Sequence, residues 1–146
     1  MKICLLCSHG GHLTEILYLV EAFEGHETFF VTYDCVRTRQ LERKYLLDNI
    51  GKNPWKMTIA ALRIFRILRR EKPDVIVSTG SEIAIPAFYL ARLFGIKTIF
   101  IESWTRVVQP TGTGRLVYPV ADVFLVQWEK LLSRYGKKAK YEGAIV

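Results

Sequence analysis

Two histidines and two adjacent glycines fall within SHGGH, residues 8 to 12, between an apolar run and an apolar helical stripe. Glycine lacks a Cβ, so the backbone at Gly10 and Gly11 can turn sharply and let an anion, most naturally a phosphate, approach the first amides of the helix that follows. His12 falls at the start of that helix, where the dipole disfavours a charged imidazole and leaves a neutral ring able to accept a proton. Capping of the helix by His12 or His9 is the alternative role for these residue types. Neither the dinucleotide fingerprint G-x-G-x-x-G nor the phosphate-loop signature is present. Asp34, at the end of the second apolar run, therefore reads as a turn residue rather than a ribose-binding acid.

These residues need a frame that brings several loops together. Short β-branched runs at 2–7, 28–33, 74–79, 97–102 and 122–127 read as buried strands, with a further short strand expected just before the terminal YEGAIV. Between them, Leu13, Ile16, Leu17 and Val20 make an i, i+3, i+4, i+7 stripe, and 54–71, 82–94 and 128–135 have helical period. KPD at 72–74 and GI at 95–96 are helix stops. The alternation predicts an α/β fold, a doubly wound, Rossmann-like parallel sheet. In such a sheet the loops at 8–12, 34–37, 79–82 and 102–114 share the rim at the carboxyl ends of the strands, where ligands bind.

At 146 residues and 50% hydrophobic content the chain supports one core, and a single domain over 1–146 is expected. MKICLLC reaches SHGG too soon for a secretory or membrane-spanning segment, so a cytoplasmic location is expected. Cys4, Cys7 and Cys35 fit a reducing compartment. On a strand Cys4 and Cys7 point to opposite faces, and no second pair completes a zinc site, so all three are read as core packing, with no metal and no cofactor. The net charge of +7 raises nucleic acid, an anionic membrane or a phosphorylated substrate as partners. Segment 54–70 holds five basic residues and no acid. There Met57, Ala60, Ala61, Ile64, Phe65, Ile67 and Leu68 form an apolar arc, opposite Lys56, Arg63, Arg66 and Arg70 with Trp55 and Ile59. Cations beside a tryptophan suit contact with an anionic membrane, the alternative being an ordinary solvated face. Nucleic acid is disfavoured, because no exposed stacking cluster or recognition motif is present.

GGHLTEIL (10–17), STGSEIAIPAFYLARLFGIKTIFIES (78–103), the arginine at 106 and DVFLVQWEKLLSRY (122–135) resemble the family of asparagine-linked glycosylation protein 14 and its prokaryotic polysaccharide-biosynthesis relatives. The resemblance covers most of the chain. More distantly, the sequence is similar to the N-terminal half of the peptidoglycan enzyme that transfers N-acetylglucosamine from UDP to a lipid diphosphate. It implies the acceptor-side, N-terminal-type domain of an inverting GT-B glycosyltransferase, with the UDP-sugar site on a separate subunit. The chain is then expected to be inactive alone and to sit on the cytoplasmic face of the membrane. The acceptor would be a sugar carried on polyprenyl diphosphate.

On that resemblance His12 is the candidate base, and Glu102 a carboxylate that binds a sugar hydroxyl or orients the base, or simply pairs with Arg106. Ser8, His9, Gly10 and Gly11, with Thr79, Gly80, Ser81 and Arg106, are expected to hold the acceptor diphosphate. Ser81 as a helix N-cap is the competing role for the second loop, which leads into Glu82. Ala144, Ile145 and Val146 are expected at the junction with the donor subunit. The alternative reading is a non-catalytic nucleotide-binding or regulatory domain whose basic helix contacts a partner.

Overall fold

KICLL forms β1 (Lys2–Leu6), and its alternation sets the layering. Cys4 and Leu6 enter one hydrophobic cluster, whereas Ile3, Leu5 and Cys7 enter the other. The computed structural model describes residues 1–145, so Val146 lies outside the described residues. The remaining strands are β2 (Glu27–Tyr33), β3 (Lys44–Leu47), β4 (Val75–Ser78), β5 (Lys97–Ile101), β6 (Val123–Val126) and β7 (Ala139–Tyr141). All pair in parallel, in the order β3-β2-β1-β4-β5-β6-β7. The helices are α1 (Gly11–Tyr18), α2 (Pro54–Glu71), α3 (Ala84–Phe94), α4 (Gly112–Val117) and α5 (Leu132–Tyr135). α1 supplies Leu13 and Ile16 to one face of the sheet, and α2, α3 and α4 cover the other.

The doubly wound sheet is the expected one, with differences at its edge. β3, in the charged segment RKYLLD, is a four-residue edge strand too short and too polar to stand out as a buried run. Val20 belongs to a 3-10 turn rather than to α1. Residues 128–135 fold as a 3-10 turn followed by α5. Both helix stops act as expected: Lys72 (φ 48°) and Gly95 (φ 68°) adopt left-handed conformations.

Cys4 and Cys7 are buried on opposite faces, and burial pushes the Cys7 thiol up to about 12. Cys35 departs from the core-packing expectation: it is half-buried in the turn after β2, where Thr38 donates to its sulfur. In α2, Ala60, Ile64, Ile67 and Leu68 are buried as the period requires. Trp55, Ile59 and Leu62 are 78, 56 and 54% exposed, an i, i+4, i+7 apolar stripe on the outside of the helix. No helix among the described residues is long and apolar enough to cross a membrane.

Candidate functional site

Strand order reverses direction between β1 and β4, so the chain leaves these neighbours toward opposite faces and opens a crevice at their carboxyl ends. The loop after β1 turns at Gly10 (φ 78°), which serves as the α1 N-cap without any side-chain cap bond. Capping by His12 or His9 is therefore not realised. The first amides of α1 have neither an intrahelical acceptor nor a side-chain cap. Ser8 is buried and donates to the His9 carbonyl, while exposed His9 meets the Tyr33 ring edge-on at 5.8 Å.

His12 spans the crevice. Its Nδ1 lies 2.8 Å from the Thr79 carbonyl, and the Thr79 hydroxyl donates to the His12 carbonyl at 2.7 Å. A carbonyl only accepts, so Nδ1 bears the hydrogen and the neutral ring keeps its lone pair on Nε2. Gly80 (φ 123°) passes directly under the ring: a Cβ there would sit 2.8 Å from His12 Cε1. Only glycine permits both that conformation and that approach.

The next residues correct the expectation of a second anion cradle. Ser81 does not cap α3; it holds φ 89° and donates to Glu82 Oε2 at 2.8 Å, while the Tyr33 hydroxyl donates to Oε1 at 2.7 Å. Burial raises the Glu82 carboxyl, but Tyr33, its own amide, Ser81 and the nearby His12 outweigh it and hold the group below its ordinary range. Thr79, Gly80 and Ser81 thus position His12 and Glu82, and an acidic group stands where an anion was expected.

Glu102 requires a larger correction. It is fully buried, accepting from the Ser103 amide at 3.0 Å, the Thr111 amide at 3.0 Å, the Thr111 hydroxyl at 2.9 Å and the Tyr135 hydroxyl. No pair with Arg106 forms among the described residues, and Arg106 is exposed. Glu102 ties the loop after β5 to α4 and α5 and has no oxygen left for a sugar.

Two residues not singled out in the sequence reading belong to this rim. Glu15, one turn beyond His12, is 6% exposed; its Oε1 accepts from the Trp104 amide at 2.9 Å and the Ser103 hydroxyl at 3.3 Å. Its Oε2 is buried with no partner. Burial raises this carboxyl, against the Trp104 amide, His12 and Ser103, and Glu102 adds to the rise. Arg37, exposed, donates to Thr14 Oγ1 at 2.9 Å and so sets a cation beside the first turn of α1. The i, i+3 spacing of His12 and Glu15 could have flagged the first; nothing local marks the second. Asp34 is held by Arg39 at 2.6 Å, a turn residue as expected.

Among the described residues, no group of three or more potential ligands could hold a metal ion. In α2, Trp55, Lys56, Arg63, Arg66 and Arg70 are exposed, but Arg63 donates to the Leu46 carbonyl at 2.8 Å. At the C-terminus Ala144 is exposed, whereas Ile145 packs against the α1-side cluster and donates its amide to Gln127 at 2.9 Å. Ile145 is therefore held in part by this domain itself, whereas Ala144 is not.

Residues 30–145 match the family model described as oligosaccharide biosynthesis protein Alg14 like. The chain belongs to that family. The UDP-N-acetylglucosamine transferase subunit ALG14 of Rattus norvegicus is 33% identical over all of this chain and 83% of its own length. Its Homo sapiens counterpart is 25% identical with the same coverage. The Oceanobacillus iheyensis UDP-N-acetylglucosamine-N-acetylmuramyl-(pentapeptide) pyrophosphoryl-undecaprenol N-acetylglucosamine transferase is 28% identical over 80% of this chain and 32% of that enzyme. In fold, Alg14-like residues here superpose on MurG of Acinetobacter baumannii with a TM-score of 0.80 at 21% identity, covering 99% of this chain and 45% of MurG. The Staphylococcus aureus MnaA structure with UDP gives 0.78 at 17%, again covering 45% of the larger protein. The chain therefore has the fold of a little under half of each of these larger proteins.

Proposed function

We propose that this Alg14-like chain is the acceptor-side, membrane-recruiting subunit of a two-chain, inverting transferase that moves N-acetylglucosamine from UDP to a sugar on a polyprenyl diphosphate. The observation that carries the reading is the His12 geometry: Nδ1–H is committed to Thr79, which leaves Nε2 as the proton acceptor at the crevice. In the reaction, Nε2 takes the proton from the acceptor hydroxyl as that oxygen bonds to the anomeric carbon. The bond from that carbon to the UDP oxygen breaks, and UDP departs with the electron pair.

The α1 amides beyond Gly10 and Gly11, with Arg37 and Arg106, are the groups suited to the acceptor diphosphate. Ser8 and His9 shape that turn. Membrane contact is assigned to the Trp55–Ile59–Leu62 stripe with Lys56, Arg66 and Arg70, on the cytoplasmic face. The donor subunit docks beside the tail, where Leu19, Ile101, Leu125 and Gly143–Ile145 line a shallow groove of about 220 Å³.

The deciding experiment is reconstitution. The isolated chain, given UDP-N-acetylglucosamine and a lipid-linked acceptor, is expected to be folded and inactive, and a donor-site partner restores transfer. His12→Ala should lower transfer by about 10²- to 10⁴-fold with little change in melting temperature. Robust turnover by the chain alone ends the two-chain reading.

A further inference from the structure

The loop after β5 presents Trp104, Val107 and Val108 at 42, 36 and 43% exposure, with exposed Arg106 between them. It is not loosely hung. The Trp104 amide is fixed by buried Glu15, its carbonyl accepts from Trp128 Nε1 at 2.6 Å, and the Arg106 amide returns to the Ser103 carbonyl at 3.0 Å. The Trp104 and Trp128 rings stand 6.4 Å apart at 41° and form an aromatic pair at the base of the loop. Beyond the tip, Thr111 is tied to Glu102. Trp104, Val107 and Val108 thus stay exposed on a turn whose backbone is fixed at both ends by buried carboxylates.

Arg106 makes no ion pair among the described residues. A cation carried between apolar residues on a backbone-anchored loop is complementary to an anion that carries a hydrocarbon tail. We propose that Trp104, Val107 and Val108, backed by Trp128, bind the first isoprene units of a prenyl diphosphate whose head group meets Arg106. The inference rests on the acceptor reading above and deepens it, assigning the lipid end of the acceptor to one loop. Glu15 is the positioning residue of this site, because it fixes the Trp104 backbone to the helix that carries His12.

The test compares farnesyl diphosphate with inorganic diphosphate by calorimetric titration of the full chain. Farnesyl diphosphate is expected to bind about tenfold more tightly or better, from burial of apolar surface. The triple variant Trp104→Ser, Val107→Ser, Val108→Ser should lose that advantage and keep the affinity for inorganic diphosphate; Trp104→Phe should retain most of it. Circular dichroism and melting of each variant confirm folding. Equal affinities in the wild type overturn the prenyl site alone and leave the diphosphate reading standing. Binding of neither ligand overturns both. A triple variant that keeps the farnesyl advantage but no longer binds anionic phosphatidylglycerol vesicles also overturns the proposal and makes the loop a membrane-inserting tip.

Discussion

Gly80→Ala places a Cβ 2.8 Å from His12 Cε1 and 2.9 Å from Nδ1, on a backbone with φ near 123°. Two separable effects follow. The backbone effect is the strain of a side chain in a glycine region, on the order of 1 to 3 kcal/mol. The steric effect displaces the imidazole, which must withdraw by about 0.7 Å to reach an ordinary carbon separation near 3.5 Å. That movement stretches or breaks the Nδ1–H bond to Thr79, which is 2.8 Å long, and releases the tautomer. Misplacing a catalytic group by about 1 Å costs on the order of 10²-fold in rate. Long-range ¹H–¹⁵N spectra of the isolated chain should show His12 as the Nδ1–H tautomer in the wild type and a changed pattern in the variant. Transfer in the reconstituted complex should fall by about 10²-fold. Gly25→Ala is the control: Gly25 also has positive φ (83°) but nothing within 4 Å of the added Cβ, so it should lose stability and retain transfer. Transfer by Gly80→Ala within about threefold of wild type would refute the positioning of His12 as the reason for this glycine.

Further outcomes are expected elsewhere. Glu102→Gln replaces an oxygen with a donor among donors from Ser103, Thr111 and Tyr135, so urea unfolding should show a loss of about 2 to 4 kcal/mol; unchanged stability with abolished transfer would return Glu102 to the chemistry. Glu15 has a raised folded-state pKa, so its contribution to stability is present below the ordinary value of 4.5 and is lost as pH rises through the raised value. Glu15→Gln should therefore gain stability relative to wild type as pH increases from 4.5, and a pH-independent difference in melting temperature would contradict this. Gln at Lys56, Arg66 and Arg70 should weaken binding to anionic vesicles, as should salt, which screens beyond about 8 Å at physiological strength; salt-insensitive binding points to apolar insertion by Trp55, Ile59 and Leu62. Deleting residues 144–146 should lower the melting temperature, because Ile145 packs on the α1-side cluster, and should also weaken capture of the donor subunit; unchanged capture moves the docking surface off the tail.

The sequence by itself determined the main strands and helices and the rim, but not the edge strand β3 or the short helix α4. Apolar runs at strand period and stripes at helix period are local, and parallel β-α order forces their connecting loops to one edge of the sheet. The glycine turn, His12 and the basic face of α2 were legible for that reason. Even the opposed faces of Cys4 and Cys7 follow from strand period alone. The roles of polar groups on the rim were decided by tertiary structure. Thr79 reaches His12 across 67 residues, and Ser103 and Trp104 reach Glu15 across 88 and 89. A carboxylate after an apolar strand looks the same in sequence whether it faces a substrate or a ring of buried donors, which is why Glu102 read as an open acid and Glu15 passed unnoticed. Propensity and period report a residue's neighbours along the chain. Whether a side chain is free to bind, or already satisfied, depends on desolvation and hydrogen-bond partners that only long-range packing supplies.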